Sequence, residues 1–577
     1  MKNSPPGSDA DGVEEGKRLI RTGGDRGLSL AERISERFQR LTWGTPLHAM
    51  RLRGRHPLKL IAVPDDPFFG DANRGNALLD GVVRFRGEDR RIEALDFAAP
   101  DWSPAFADHL QSFAWLRDLS SVATRAQGVP IAEEIMRRWL AAHGEKVSET
   151  AWRADIWGRR ILFWTAHAPL ILSSTDLVYR SSVLHALARG ARHLDRGANR
   201  VQPGAASIAA WSGVLVAGLS MPGGDPRRAY GESGLRRALE QSVFEDGGSV
   251  TRSPAAQIDS IQYLTILGEA YAARRLEAPE FIEAMRNRMI TALLGLCHGD
   301  KGLSSWQGSG PVAGDVIEQL IEATGVRTRP LKQAREWGYQ RLSQGQSVLI
   351  MDVAPPPLAR LVEGGCASTL AFELSDGPDR VVVNCGGARA AHAKVPPALT
   401  EGLRTTAAHS TLVVSNSNST AIHADGTLGR GVVEVELVRH ETDAASRIEA
   451  SHDGYVRRFG YLHRRVVAMS PDGKDVRGED MLLPADRRKH KAPTVFAARF
   501  HLHPQVEVTP TADGLAAILR TASGHLWQFR CKGGSLAVED SVWIDARGRP
   551  LASQQLVVTG ASPAGGANVS WLFHRAR

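Results

Sequence analysis

The stretch RTTAAHSTLVVSNSN, from Arg404 to Asn418, carries one histidine, His409, directly before residues that alternate like a β-strand. Imidazole has an ordinary pKa near ~6.5, so a histidine can accept or donate a proton at neutral pH. A histidine at the start of a strand is also a common packing residue. The stretch by itself leaves both roles open, and the surrounding chemistry has to decide between them.

A second proton-transfer pair is predicted in SHDGYVRRFG, where Tyr455 follows His452 by three residues. The intervening Asp453-Gly454 is a turn signal. Such a turn could bring the imidazole and the phenol to one groove as proton donors. The alternative is a tyrosine that packs under a hairpin. Tyr263, in an earlier helical segment, is predicted to be a core or rim residue.

Arg252 and Arg404 are candidate clamps for a substrate carboxylate, because a guanidinium binds a carboxylate through two parallel hydrogen bonds. His501 and His503 alternate in RFHLHP and leave one face of a strand, but two ligands of one type do not make a metal site. No HExxH motif accompanies them. The sequence therefore predicts no metal site and requires no cofactor, and a structural metal has no support.

Four cysteines are scattered along the chain without a CxxC pair, which argues against a disulfide scaffold and against a zinc ribbon. Cys366 and His409 could meet as a thiolate–imidazole pair, either for catalysis or for zinc. The alternative for Cys366 is a small buried residue in a strand. The cysteines leave the redox compartment open.

These candidates stand in two regions with different periods, of which the first is helical. From about residue 105 to 340, apolar residues recur at helical spacing, as Ile131, Ile135 and Leu140 do. Nine of the thirteen tryptophans lie between Trp102 and Trp337, and we expect most of them in the core.

A turn and a helix start are predicted in FEDGGSVTRSPAAQIDSIQYL. The DGG triplet at residues 246–248 signals the turn. Ser253 then has the character of an N-cap and Pro254 that of a first helical residue. Ile258, Ile261 and Leu264 are the predicted buried stripe of this helix, and Arg252 is expected to project near its start.

After about residue 345 the period becomes two, in short β-rich segments separated by Gly, Asp or Pro turns. No helices are interleaved, so a large antiparallel β-sandwich is predicted rather than a parallel sheet. We predict a disordered polar N-terminal tail over residues 1–28, a helical domain over 29–343 and the sandwich over 344–577.

The amino-acid composition indicates which class of partner the protein binds. The formal net charge of +8 favours an anionic partner. The basic residues are spread out, and the densest cluster, DRRKHK at residues 486–491, is predicted to be a solvated loop, so an acidic polysaccharide fits better than nucleic acid. No transmembrane segment and no signal peptide are evident. The oligomeric state is not encoded in any visible motif.

Taken together, the chain resembles the heparinase II/III family of polysaccharide lyases. The motifs that carry the resemblance, between about Leu58 and Leu572, are IAVPDDPFFGDANRGNALLDG, HLQSFAWLRDL, FEDGGSVTRSP, CASTLAFELSDG, RVVVNCGG, RTTAAHSTLVV, EASHDGYVRRFGYLHRR, GEDMLL, RFHLHP and LAVEDSVW. The resemblance implies an incomplete α/α toroid packed on a β-sandwich, with a groove between them for an acidic polysaccharide. It also implies β-elimination at a hexuronic acid, in which a neutralised carboxylate, a base and an acid, often tyrosine, act without a cofactor.

Several positions depart from the family pattern. Ser249 stands where a histidine usually follows the DGG turn, Ala256 and Gln257 stand where tyrosine and histidine are expected, and Cys366 takes the place of the first histidine of the sandwich. His409 does match an active-site histidine. The neutralising amide of the toroid should fall in GANRVQPGAAS, where Asn199 and Gln202 are the candidates.

The preferred hypothesis is a polysaccharide lyase that cleaves a uronate-containing glycan with a substituted catalytic set. In this hypothesis His409 either accepts the proton from the substrate or neutralises its carboxylate. His452 or Tyr455 donates a proton to the leaving oxygen. The residues that bind substrate are Arg252, Arg404, Asn199 and Gln202. The alternative is a non-catalytic relative that binds acidic polysaccharide.

A glycoside hydrolase ranks last, because Glu245, Asp246, Asp315 and Glu373 form no recognisable pair. The resemblance places the protein in the cell envelope or periplasm, whereas the absence of a visible signal peptide favours the cytoplasm.

Overall fold

The computed structural model describes residues 16–21, 46–362, 364–442, 445–485 and 493–576. Its first part is helical, with one small hairpin, and its second part is built of strands, as the change of period predicts. The predicted loop at 486–491 lies outside the described residues. Among the residues that are described, no helix combines the length and apolar character needed to cross a bilayer.

The helices of the first part form an incomplete α/α toroid. They are α1 (Pro46–Arg51), α2 (Ala72–Leu79), α3 (Pro104–Ser112), α4 (Trp115–Ser120), α5 (Arg125–Trp139), α6 (Ala154–Ala166), α7 (Ala168–Ile171), α8 (Leu177–Gly197), α9 (Ala205–Ser220), α10 (Asp225–Ser242), α11 (Pro254–Ala273), α12 (Glu280–Leu294) and α13 (Gly314–Thr324). Helix α9 is apolar on all sides and almost wholly buried, and it packs between α6 and α11. It therefore belongs to the inner ring.

The predicted start of α11 is confirmed. Ser253 is the N-cap, its hydroxyl accepts a hydrogen bond from the Ala256 backbone N–H at 3.4 Å, and the helix begins at Pro254. Of the predicted stripe, Ile261 and Leu264 are buried, whereas Ile258 is half-exposed.

Two glycines permit the close crossing of the inner helices α6 and α9. A Cβ atom on Gly158 would lie 2.3 Å from the carbonyl oxygen of Ala209, and one on Gly213 would lie 2.6 Å from the Cα of Gly158. Neither distance leaves room for a side chain against rigid backbone. The two helices therefore depend on these glycines for their spacing.

The second part is an antiparallel sandwich. Its strands are β4 (Tyr339–Gln344), β5 (Ser347–Asp352), β6 (Phe372–Asp376), β7 (Asp379–Val383), β8 (Leu412–Val414), β9 (Glu434–Thr442), β10 (Ala445–His452), β11 (Tyr461–Met469), β12 (Asp475–Pro484), β13 (Thr494–Leu502), β14 (Glu507–Pro510), β15 (Ala516–Arg520), β16 (Leu526–Lys532), β17 (Ser535–Ile544), β18 (Pro550–Ser562) and β19 (Ala567–Arg575). Short helices α14 (Pro397–Gly402) and α15 (Val456–Phe459) interrupt them. The toroid carries the hairpin β2 (Val82–Phe85) and β3 (Glu88–Arg91).

Two sheets enclose the sandwich core. One begins with β1 (Gly16–Arg21) and has the order β1-β9-β10-β11-β12-β19-β16-β15-β14. The other has the order β17-β18-β13-β7-β6-β5-β4 with β8 on β13. Side chains from both sheets meet between them, among them Phe372 and Phe500 from one sheet and Trp571 from the other. Their alternating burial along each strand follows from the two-residue period of the sequence.

The predicted tail needs one correction. Residues 16–21 are not disordered but form strand β1 (Gly16–Arg21), which pairs antiparallel with β9. The physical reason is charge complementarity at a sheet edge, because Lys17 pairs with Glu436 and Arg21 with Glu434. The rest of the predicted tail lies outside the described residues. The first strand of the sandwich, β4, begins at Tyr339, ahead of the predicted domain start at 344.

The α6–α9 crossing can be tested with a matched pair of glycine substitutions. We expect Gly158→Ala to lower the free energy of unfolding by about 1–3 kcal/mol, because its methyl group forces the helices apart. Gly268→Ala in α11 is the control, since the nearest atom to its added Cβ is an arginine tip at 3.8 Å. Denaturant unfolding measures both, and equal midpoints for the two variants would contradict the proposed crossing.

Candidate functional site

A cavity of about 870 Å³ opens at the end of the toroid where α3 and α6 begin and α8 ends. We call it the end cavity. It is lined by His48, Arg51, Pro100, Trp102, Pro104, Ala107, Asp108, Gln111, Glu149, Thr150, Arg153, Ala154, Asp155, His193, Asp195, Arg196, Gly197, Asn199, Arg200, Val201 and Gln202. Its size suits a few sugar rings.

Asn199 and Gln202 reach the end cavity because of the turn between α8 and α9. A 3₁₀ turn over Ala198–Arg200 ends α8, and Gly204, with φ of 123°, redirects the chain into α9. Asn199 is exposed and Gln202 is half-buried. The structure thus brings both predicted amides to an open cavity, while their role in binding stays a prediction.

One aromatic ring is available in the end cavity. Of the nine tryptophans between Trp102 and Trp337, eight are almost wholly buried and form the toroid core, as expected. Trp102 is half-buried and lines the end cavity, just before α3 begins. Its ring offers a flat apolar surface of the kind that packs against a sugar face.

Of the carboxylates that line the end cavity, three aspartates are paired with arginines. The Arg153 guanidinium donates to Asp108 at 2.9 Å and to Asp155 at 2.7 Å. Burial would raise the pKa of Asp155, but its hydrogen bonds to Arg153 and the charge of Arg159 lower it to about 2. Asp195 is bonded to Arg227 at 2.9 Å. Asp155 is therefore ionised at neutral pH, and an arginine is bonded to each of the three aspartates.

Three arginines of the end cavity, Arg51, Arg196 and Arg200, have no such neutralising partner. Arg196 donates to the backbone carbonyl of Arg51 at 3.3 Å, which leaves its charge uncompensated. Within the part of the chain that the structure describes, no carboxylate forms an ion pair with any of the three. The end cavity is therefore a place where an anionic group gains electrostatic energy.

His409 lies away from the end cavity and is buried, with 2% of its surface exposed. Its Nδ1–H donates to the carbonyl oxygen of Thr405 at 2.7 Å, so Nε2 carries the lone pair. Burial lowers the pKa of His409 to about 4. The imidazole is neutral at pH 7, as a base must be, but almost none of its surface is exposed.

The expectation that a turn brings His452 and Tyr455 to a groove is wrong. Tyr455 is 1% exposed, its hydroxyl donates to the carbonyl oxygen of Leu412 at 3.0 Å, and burial raises its pKa. His452 accepts from the Gly454 backbone N–H and contacts His463 at 3.2 Å. Both side chains belong to the sandwich interior, because their strand and turn fold under β8 rather than outward.

The expectation that Arg252 clamps substrate is also wrong. Its Nη2 donates to Asp352 Oδ1 at 2.6 Å, its Nε to the carbonyl of Trp337 at 2.7 Å, and its Nη1 to the carbonyl of Pro355 at 2.9 Å. The residue is buried with φ of 54°. Its hydrogen bonds thus join the toroid to the sandwich, and the buried guanidinium is held by them.

Arg404 is buried as well, with 6% of its surface exposed. Its Nε donates to the carbonyl of Gly365 at 3.0 Å, and its Nη2 has no hydrogen-bond partner among the described residues. It does not line the end cavity. Its predicted role as a clamp stays a prediction.

The substituted family positions are likewise filled by internal contacts. The Gln257 amide donates to the carbonyls of Gly247 and Met289 at 2.6 and 3.0 Å, and Ser249 bonds to Thr251. Burial raises the pKa of the Cys366 thiol to about 11, which is the opposite of a thiolate. Among the described residues Cys366 forms no hydrogen bond with His409, so the thiolate–imidazole pair is not formed.

The remaining candidates also serve the interior. His501 is buried between the hydroxyl of Ser541 at 2.8 Å and the carbonyl of Ala407 at 2.9 Å, whereas His503 packs on Trp543. The described residues contain no cluster of three or more potential metal ligands. The four carboxylates considered for hydrolysis do not line the end cavity: Glu245, Asp246, Asp315 and Glu373.

Sequence reasoning missed most of the end cavity. Trp102, Arg51, Arg153 and Arg196 come from separate segments, and no motif in the sequence joins them. Arg200, between the two predicted amides, is the one residue whose position in the sequence gave a signal. The others meet only because inner helices begin at the same end of the toroid.

The helical part packed on a two-sheet sandwich is a fold that this chain shares with solved structures of heparinase III and of a heparan sulfate lyase. Residues 326–572 match the family described as Heparinase II/III-like, C-terminal. Solved structures share the fold over most of the chain. Heparinase III has a TM-score of 0.70 at 13% identity, with 96% of this chain and 93% of that one covered.

Two further relatives extend the comparison. Heparan sulfate lyase HepC from Pedobacter heparinus has a TM-score of 0.57 at 15% identity, with 87% of this chain and 82% of that one covered. FtsZ-localized protein C of Caulobacter vibrioides is 27% identical, over 93% of this chain and 94% of its own length. Residues 326–572 thus match a heparinase II/III-like domain and the fold matches that of heparinase III, which confirms the resemblance drawn from the motifs.

The structural role of Arg252 is testable by comparison with an arginine of the end cavity. We expect Arg252→Ala to lower the free energy of unfolding by about 3–5 kcal/mol, because Asp352 is left as an unpaired buried charge. Arg200→Ala, at an exposed position, should leave the denaturant midpoint unchanged. Urea unfolding followed by circular dichroism measures both. A normal midpoint for Arg252→Ala would show that its contacts are dispensable and its guanidinium available.

Proposed function

We propose that the protein binds an acidic, uronate-containing polysaccharide in the end cavity and does not cleave it by β-elimination. The proposal rests on one observation: the open cavity and the histidine expected in the active site lie apart. The open cavity holds the uncompensated arginines, whereas the histidine that matches the family's active site, His409, is buried elsewhere.

Binding is supported by the chemistry of the end cavity. Arg51, Arg196 and Arg200 supply positive charge, Asn199 and Gln202 supply neutral donors for a carboxylate, and the cavity has one half-buried indole. Charged hydrogen bonds of this kind are worth about 1.5–3 kcal/mol each when solvent is excluded. The net charge of +8 acts in the same direction at longer range.

Elimination lacks its proton-transfer groups. A catalytic base must come within hydrogen-bond reach of the C5 proton, and a catalytic acid within reach of the leaving oxygen. Ala256 has no such group, and Tyr455 is committed to a backbone carbonyl. The two histidines that line the end cavity, His48 and His193, lie 3.3 Å apart in a contact with each other. The sequence favours elimination, and these positions favour the alternative of binding alone.

The decisive experiment presents the purified protein with heparan sulfate, chondroitin sulfate and neutral dextran. We expect binding of an acidic glycan by calorimetry, weaker at higher salt because the contacts are ionic. We expect no rise in ultraviolet absorbance from an unsaturated uronate. Such a rise would establish elimination and overturn the second half of the proposal.

A matched pair of charge reversals locates the binding site. Arg200→Glu should weaken the affinity by about tenfold or more, because it removes one charged contact and adds a repulsion. Arg457→Glu, an exposed arginine on the sandwich, should bind like the unmodified protein. Equal affinities for the two variants would place the glycan elsewhere on the protein.

We also infer a role at the site of cell division. The support is the relative named FtsZ-localized protein C, which is similar over nearly the full length of both chains. A fluorescent fusion is expected to concentrate where FtsZ does and to disperse when FtsZ is depleted. A uniform distribution in dividing cells would contradict this role. The cell envelope, as the place where the glycan is met, stays a prediction.

A further inference from the structure

A short segment of the chain lies across helix α8 and forms one wall of the end cavity. This segment, residues 46–57, is called the strap and consists of α1 followed by extended chain. His48 and His56 stand eight residues apart in the strap, as His185 and His193 do in α8. His48 contacts His193 and His56 contacts His185, so the strap runs antiparallel to α8.

The strap is fastened at each end by two facing imidazoles. His48 Nε2 lies 3.3 Å from His193 Nδ1, and His56 Nδ1 lies 3.4 Å from His185 Nδ1. In each pair the rings are nearly perpendicular, at 88° and 85°. These distances are those of hydrogen bonds between a ring N–H and a ring lone pair.

Among the described residues, two arginine side chains of α8 also donate hydrogen bonds to backbone carbonyls of the strap. Arg192 donates to the carbonyl of Leu52 at 2.9 Å and to the carbonyl of Arg55, and Arg196 donates to the carbonyl of Arg51 at 3.3 Å. Arginine keeps its proton throughout the accessible pH range. The imidazole contacts are therefore the part of this attachment that can titrate near neutral pH.

The partners of each pair identify the acceptor histidine. His193 Nε2 lies 2.7 Å from the carbonyl oxygen of Trp152, which can only accept, so His193 Nδ1 presents a lone pair to His48. His185 Nε2 faces a carboxylate oxygen of Glu145 at 3.5 Å, so His185 Nδ1 presents a lone pair to His56. Adding a proton to either acceptor removes the hydrogen bond and creates a charge beside its partner.

The surroundings of both pairs are mainly cationic. Burial, His48, Arg196 and Arg160 lower the pKa of His193 to about 3, with the Trp152 carbonyl opposing them. Burial first, then Arg196, Arg51 and Arg189, lower the pKa of His48.

The surroundings of the second pair also lower a histidine pKa. Burial, Arg189, His56 and Arg192 lower the pKa of His185, against the opposing charge of Glu145. The attached strap thus favours the neutral imidazoles of His48, His185 and His193.

We propose that the strap is a pH-sensitive clasp, which detaches from α8 in mildly acidic solution and removes one wall of the end cavity. His185 and His193 take up protons as the strap leaves. The proposal depends on the contacts of the end cavity and not on which ligand fills it, so it stands or falls independently of glycan binding.

The direction of the pH dependence follows from the lowered pKa values of the attached state. A free histidine has a pKa near ~6.5, so above that pH neither state gains protons and the strap is attached. As the pH falls below that value, only the detached state takes up protons. Each titrating histidine then favours detachment by up to about tenfold per pH unit, until the pKa of the attached state is reached.

Hydrogen exchange measured by mass spectrometry, on the full chain without ligand, tests the clasp. After correction for the intrinsic exchange rate, residues 46–57 should exchange at least about tenfold faster at about pH 5.5 than at about pH 7.5, while α9 stays protected. A strap that exchanges equally at both pH values would overturn the proposal.

The double variant His185→Gln/His193→Gln separates titration from packing. Glutamine keeps one donor and one acceptor, as neutral imidazole does, but does not titrate. We expect the strap of this variant to lose most of its pH response, with a remainder from His48, whose pKa is also lowered in the attached state. The half-buried His185→Gln alone should lose part of the pH effect and serves if the double variant does not fold. His440→Gln, exposed on β9, is the control and should behave like the unmodified protein.

An unchanged pH response in the double variant would show that other groups drive the opening, and would overturn the clasp. Failure of glycan binding would leave this result untouched. Conversely, a working clasp in a protein that binds no acidic glycan would overturn only the proposed function.

Discussion

The structure depends on one buried ion pair, between Arg252 of the toroid and Asp352 of the sandwich. Their side chains are 4% and 0% exposed, and the carboxylate also accepts from Ser368 at 2.8 Å. Two charges this deep cost free energy to desolvate, which only close contact and further hydrogen bonds offset. The pair therefore does more to determine how the halves dock than to raise stability.

Docking of this kind explains why the residues expected to do chemistry do not face solvent. The loops that carry Cys366 and His409 are drawn inward and satisfied by backbone carbonyls and neighbouring amides. Once a buried polar side chain has such partners, exposing it to a substrate would break them at a cost of about 1–3 kcal/mol each. The open, positively charged surface has formed instead at the end of the inner helices. A lyase architecture is thereby combined with a site suited to holding an anion.

The large features of the fold were predictable because they repeat along the chain. The change of period near residue 345 indicated helices followed by a sandwich, and Ser253 with Pro254 indicated the start of α11 to the residue. Strand β1 was not predictable, since six polar-rich residues acquire a strand conformation only beside the acidic edge of β9. For the site, Asn199 and Gln202 line the end cavity, and their role in binding stays a prediction. The arginines around them were not predicted, because they share no spacing in the sequence.

The amino-acid sequence by itself determined the two periods, the helix cap, the charge surplus and the family motifs, since each depends on neighbours close along the chain. Only the tertiary structure decided which polar side chains would be buried and which would line a cavity. Arg252 and Arg200 are the same residue type, yet one is locked in an ion pair and the other faces open space. That difference arises from contacts between segments a hundred residues apart, and no local pattern records them.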